Sequence, residues 1–187
     1  METVLPADIA QMAARVVAEN KAAGRTVAVA ESCTGGLVTA AITEVPGSSA
    51  ILGSGYVTYS NEAKMTMLGV NEEIIDTFGA VSVAVAWAMA QGALKKSGAD
   101  IAVAISGVAG PDGGTANKPV GTVVFAVALK GQNPEDVVGD KKAFGADKSR
   151  ADIRAFATLY ALELLLPPAP VKCVRTVDKC RRHLAQG

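Results

Sequence analysis

Thr26-Val27-Ala28-Val29-Ala30-Glu31-Ser32-Cys33-Thr34-Gly35-Gly36 decides the fold. The first five residues form a short apolar run rich in β-branched side chains, which predicts a strand covered on both faces. Two hydroxyls and a thiol follow, and then paired glycines open a helix expected over residues 35–45. A covered strand that turns directly into a helix belongs to an α/β sheet, where ligands gather beyond the carboxyl ends of strands. Upstream, residues 8–23 carry Ile9, Met12, Ala13, Val16 and Val17 on one stripe, the pattern of an amphipathic helix that Gly24 can stop. Downstream, residues 56–59 alternate as a strand, residues 72–78 form a short helix, and residues 82–96 a longer one with Ser82 as N-cap.

Residues 100–105 repeat the buried-strand signature, and a loop rich in glycine and proline runs from Ser106 to Pro119. Residues 120–129 form another strand, and a polar turn at Gly131-Gln132-Asn133-Pro134 leads to a further strand ending near Phe144. The last helix covers residues 149–166 with Ile153, Phe156, Ala157, Tyr160 and Leu164 inward, and Pro167-Pro168-Ala169-Pro170 stops it. Early strand-helix-strand order implies parallel pairing through crossover helices, while the two late strands suggest a hairpin. A three-layer α/β/α sandwich with a mixed, mostly parallel β-sheet satisfies both. Residues 1–167 make one domain, and residues 168–187 a polar C-terminal tail.

Composition narrows the function classes. Half of the 187 residues are hydrophobic but only 4% are aromatic, so Ala, Val, Ile and Leu must build the core. Lys plus Arg and Asp plus Glu each number 18, which lacks the basic excess that phosphate neutralisation demands of a duplex binder. No stretch approaches the ~20 apolar residues of a membrane span. Residues 1–8 are not a secretory leader, so the expected location is cytoplasmic. Cys33, Cys173 and Cys180 make no disulfide framework. Cys173, Cys180 and His183 match no common zinc spacing, and neither metal nor cofactor is expected.

Three places carry chemistry. Residues 30–37 point backbone N–H groups and a positive helix end at whatever binds there, which suits a phosphate or the oxyanion of acyl transfer. Ser32 or Thr34 as a plain helix cap explains the hydroxyls equally well, but leaves Glu31 and the paired glycines without a role. Next, Thr58-Tyr59-Ser60-Asn61-Glu62-Ala63-Lys64 ends a strand, with Lys64 one helical turn beyond Ser60. The single histidine, His183, lies in the tail, so a serine nucleophile would need a lysine base whose pKa burial lowers. Tyr59 would relay a proton or hold the lysine; the plainer account is a cap with a solvated Lys64. The third place, Ser106-Gly107-Val108-Ala109-Gly110-Pro111-Asp112-Gly113-Gly114, is too glycine-rich to be a simple connection. Cations at Lys148, Arg150 and Arg154 oppose the dipole of the last helix, which favours an anionic partner there.

Together with Gly79-Ala80-Val81-Ser82 and Lys118-Pro119-Val120-Gly121-Thr122, these motifs resemble, in order, the CinA C-terminal-domain family. Members occur alone or fused behind a nucleotide-processing domain, and residues 7–166 look like the stand-alone form. The resemblance implies a nicotinamide mononucleotide deamidase, releasing ammonia and nicotinate mononucleotide in pyridine-nucleotide salvage by a serine-lysine mechanism. It implies Ser32 as nucleophile, Lys64 as general base and Tyr59 as an assisting hydroxyl. Ser106 stands where the family usually has threonine. Arg150 matches the family's arginine at the last helix, with Arg154 and Lys148 as rivals.

By charge and donor type, the oxyanion would be held by N–H groups around Thr34, Gly35 and Gly36. Substrate contacts are expected from those residues and from Ser60, Asn61, Ser106, Gly107, Gly110, Asp112 and Arg150. The expected partner is a small-molecule nucleotide, in a homo-oligomer without nucleic acid or membrane. Two readings compete with this one: Cys33 as the nucleophile, and a non-catalytic nucleotide-binding or regulatory module using the same loops.

Overall fold

A computed structural model describes residues 3–168. Its elements are α1 (Ala7–Ala22), β1 (Val27–Glu31), α2 (Leu37–Glu44), β2 (Leu52–Val57), α3 (Asn61–Leu68), α4 (Glu72–Phe78), α5 (Val83–Ser97), β3 (Ile101–Gly107), β4 (Thr122–Leu129), β5 (Gly139–Ala143) and α6 (Arg150–Leu164). The five strands lie in the order β2-β1-β3-β4-β5. β1 pairs parallel with β2 and β3, and β4 pairs antiparallel with β3 and β5. Four strands therefore run one way and β4 alone runs against them, which gives the mixed, mostly parallel sheet expected.

Side-chain size alternates along the central strands and explains the layers. Val27, Val29, Ile101, Val103, Ile105, Val123 and Phe125 face α1, α2 and α6 in one buried cluster. Ala28, Ala30, Ala102, Ala104, Ala126 and Ala128 face the other way, against α5 and the short helices beside it. On the alanine face α5 can approach closely, and its Trp87 and Met89 fill the space. Period-two alternation thus sorts bulky from small residues, and the two clusters form on opposite sides of one sheet.

Several expectations need correction. The strand predicted over residues 56–59 lies earlier, at Leu52–Val57, because the chain leaves the sheet after the Thr58 N–H bonds the Glu31 carbonyl, and Ser60 then caps α3. The strand expected over residues 100–105 continues through Ser106 and Gly107, so the glycine loop begins later. Phe156, expected inside, is 39% exposed and leans on Phe144 at the molecule's side. Residues 169–187, with Cys173, Cys180 and His183, lie outside the described residues.

Candidate active site

The chain turns from β1 through α2 to β2 on one side, then crosses by α3, α4 and α5 to β3 on the other. The connections leaving the adjacent carboxyl ends of β1 and β2 pass over opposite faces of the sheet, so a crevice opens between them. There lies a cavity of about 210 Å³. Ser32, Cys33, Lys64, Tyr59 and Asn61 line one part of it. Ala80, Val81, Ser106, Gly107, Ala109 and Arg150 line the rest. The three motif regions, far apart in sequence, meet at this one place.

Lys64 is 1% exposed. Ser60 caps α3 by accepting from the Ala63 N–H at 3.0 Å, which winds the helix so that Lys64 turns under the strand ends instead of outward. Its Nζ lies 3.3 Å from Ser32 Oγ. It donates to the carbonyls of Thr58 at 2.9 Å, Tyr59 at 3.3 Å and Ser60 at 3.3 Å. Burial pushes the Lys64 pKa below its usual value, with the neighbouring Cys33 thiol partly opposing. A neutral amine has a lone pair for the Ser32 proton, and once protonated it finds three carbonyls ready to receive its N–H groups. That set is suited to moving one proton back and forth.

Cys33 is buried, and burial pushes its thiol up to about 12. A thiol so far from ionisation is a poor nucleophile at neutral pH. Proximity alone does not choose between Ser32 and Cys33, but the pairing with Lys64 and the ionisation cost both favour the serine.

The glycine turn differs from expectation. Glu31, completely buried, reaches past Ser32 and caps α2. Its carboxylate accepts from the N–H groups of Gly36 at 2.9 Å, Val38 at 3.2 Å and Thr39 at 2.9 Å, and from the Thr39 hydroxyl at 2.7 Å. The Gly35 N–H bonds the Ser32 carbonyl at 3.1 Å. Gly35 and Gly36 are therefore occupied internally and do not line the cavity, which corrects their expected role as oxyanion donors. Both adopt positive φ, 63° and 97°, so the pair supplies the turn geometry and not ligand contact. Among the described residues, the N–H groups of Cys33 and Thr34 reach no backbone carbonyl.

Other candidates sort by geometry. Arg150 donates to the Gly110 carbonyl at 2.6 Å and to the Tyr59 hydroxyl at 3.1 Å, spanning the cavity mouth. The Tyr59 hydroxyl is thus tied to Arg150, and this residue touches Lys64 through its carbonyl, not as an assisting hydroxyl. Arg154 lies behind the turn and donates to the Thr34 carbonyl at 2.9 Å, while Lys148 pairs with Asp147 at 3.0 Å. Of the three rivals, Arg150 alone lines the cavity. Ser106 lines it while donating to the Ala80 carbonyl at 2.7 Å. Thr34, Ser60, Gly110 and Asp112 do not line it; Thr34 is buried, and Asp112 is exposed on the loop. Sequence reasoning gave no role to Glu31, Ala80, Val81 or Ala109. An unassigned carboxylate beside the serine was the available signal for Glu31.

The CinA C-terminal domain model matches residues 9–168. The chain belongs to this family. The CinA-type chain is 61% identical over 122 residues to a competence-damage inducible protein of Symbiobacterium thermophilum, covering 65% of this chain and 28% of that protein. It is 49% identical over 159 residues to the nicotinamide-nucleotide amidohydrolase PncC of Escherichia coli K12, covering 84% of this chain and 93% of that protein. The chain thus spans under a third of the first relative and nearly all of the second. Among solved structures, the competence/damage inducible protein CihA from Agrobacterium tumefaciens superposes with a TM-score of 0.83 at 45% identity, covering 88% of this chain and 97% of that one.

Proposed function

We propose that this CinA-family protein hydrolyses the carboxamide of nicotinamide mononucleotide, with Ser32 as nucleophile and Lys64 as general base. The observation that carries the reading is the buried Lys64 Nζ 3.3 Å from Ser32 Oγ at the floor of the cavity. The 49% identical E. coli relative, named a nicotinamide-nucleotide amidohydrolase, supplies the substrate class. Ser32 Oγ bonds to the carboxamide carbon as its proton passes to Lys64, and the carbonyl electrons move onto oxygen. The N–H group of Cys33, which lines the cavity beside Ser32, stabilises that oxyanion; such a donor contributes ~3 kcal/mol. When the C–N bond breaks, Lys64 returns the proton and ammonia leaves. Water then attacks the acyl-serine with Lys64 again as base, releasing nicotinate mononucleotide and restoring Ser32.

Arg150 receives the substrate phosphate at the mouth, because among the described residues no carboxylate forms an ion pair with it. Asn61, whose side chain makes no hydrogen bond within the described residues, and Ser106 meet the polar ring substituents or the ribose. A nucleotide-binding module without chemistry would use Arg150 in the same way but would not need a buried lysine against a serine. An ammonia-release assay on nicotinamide mononucleotide separates the two. Wild type and Cys33→Ala should turn over, while Ser32→Ala and Lys64→Met should lose at least ~1,000-fold in kcat. Turnover by Ser32→Ala would overturn the mechanism, and an inactive wild type that still binds the nucleotide would support the module.

A further inference from the structure

A carboxylate sealed inside a protein normally has a cation beside it. Glu31 has none. Its four hydrogen bonds all come from the first turn of α2, three from backbone N–H groups and one from the Thr39 hydroxyl. The counter-charge is the positive end of the helix, whose orphan N–H groups the carboxylate satisfies. Glu31 is also the last residue of β1, so one residue joins the central strand to the helix across the intervening turn. Ser32 lies inside that closed loop.

The loop is held from outside as well. Arg154 of α6 donates to the Thr34 carbonyl at 2.9 Å, and the Ser32 N–H bonds the Ile105 carbonyl of β3 at 2.9 Å. Every N–H of residues 32–36 is thereby used, apart from those of Cys33 and Thr34. We infer that Glu31 is the positioning residue of the nucleophile turn: an internal anion that occupies the α2 N-terminus and holds Ser32 against Lys64. It also determines where the substrate's own anion can go. With the helix end already neutralised, a phosphate finds no vacancy there and is left to Arg150 at the mouth. The inference rests on the Ser32–Lys64 reading of the site.

The test compares Glu31→Gln, Thr39→Val and Glu31→Ala with wild type, and runs Ser32→Ala in the same ammonia-release assay. Glu31→Gln replaces one acceptor oxygen by a donor facing N–H groups, and Thr39→Val removes one of the four donors with little change of volume. Expected are a kcat loss of roughly ten- to a hundredfold for Glu31→Gln and a smaller loss for Thr39→Val. KM should change little in either. Calorimetric titration with nicotinate mononucleotide should still give one site per chain, so the loss is not a misfolded fraction. In Glu31→Ala, formate at high millimolar concentration should restore part of kcat in a saturable way and leave wild type unaffected.

Wild-type kcat in Glu31→Gln, or a lowered binding stoichiometry that accounts for its whole loss, would overturn the inference while leaving the mechanism intact. So would a Glu31→Ala variant that folds, binds product and ignores formate. An active Ser32→Ala would instead remove the mechanism on which the inference stands.

Discussion

Lys64 carries most of the chemical argument, and its behaviour with pH follows from where it sits. The group is withdrawn from water, and burial lowers its pKa from the ordinary 10.5. A general base works only when unprotonated, so kcat/KM on nicotinamide mononucleotide should rise with pH and level off above the folded-state pKa of Lys64. That limb should fall below the ordinary lysine range and be missing from any residual activity of Lys64→Met. A pH–rate profile checks it; a limb at or above 10.5 would remove Lys64 as the base. The stability sign is fixed by the same shift. The unfolded chain holds the lysine proton to higher pH than the folded one, so this group's contribution to stability rises with pH between the lowered pKa and 10.5, and is least favourable below both. Cys33 shows the opposite outcome of the same burial: its thiol stays protonated, and a potent nucleophile is left idle beside the weaker one that has a base.

At the scale of elements, the site depends on how α3 is seated. The contact that seats it is Gly92 of α5, where an added Cβ would drive into the Leu68 carbonyl at the end of α3. Replacing a helical glycine by alanine ordinarily stabilises by up to ~1 kcal/mol. Here the backbone collision should win, and Gly92→Ala is expected to lose about 1–3 kcal/mol in urea denaturation. Displacing α3 also moves Lys64, so kcat should drop in the fraction that remains folded; a stabilised, fully active variant would show that the contact yields easily.

This dependence was not legible in the sequence, because Gly92 reads there as one more small residue in a helix. What was legible had a local cause. The alternation of β-branched residues with alanine in residues 27–30 and 101–104 announces covered strands, Ser82 announces a cap, and the motif order brings Ser32 and Lys64 together. The α2 end misled for an equally physical reason. A glycine pair before a helix advertises free N–H groups, and only the fold reveals that the carboxylate five residues before Gly36 has already taken them.

On the scale of the whole molecule, the cavity floor and mouth come from different parts of the chain. The turn after β1 supplies the serine, α3 the lysine, and α6 an arginine that spans from the Gly110 carbonyl to the Tyr59 hydroxyl. Ligand in such a place should tie the layers together, since it contacts elements from both sides of the sheet. Mass action gives the size of the effect: a ligand at a hundred times its Kd, bound only by the folded state, adds about 2.7 kcal/mol. For a domain of this length that corresponds to a rise in Tm of roughly 5–10 °C. The measurement uses Ser32→Ala, so that nicotinamide mononucleotide binds without being consumed, and nicotinate mononucleotide as the second ligand. Both should raise Tm, and the added Arg150→Ala substitution should abolish most of the rise at the same ligand concentration. Arg154→Ala should lower the starting Tm, because the Thr34 carbonyl loses its shorter hydrogen bond and keeps only the one from the Leu37 N–H at 3.4 Å, yet keep the ligand-induced rise. If instead Arg154→Ala removed the rise and Arg150→Ala kept it, the phosphate would belong behind the turn and not at the mouth.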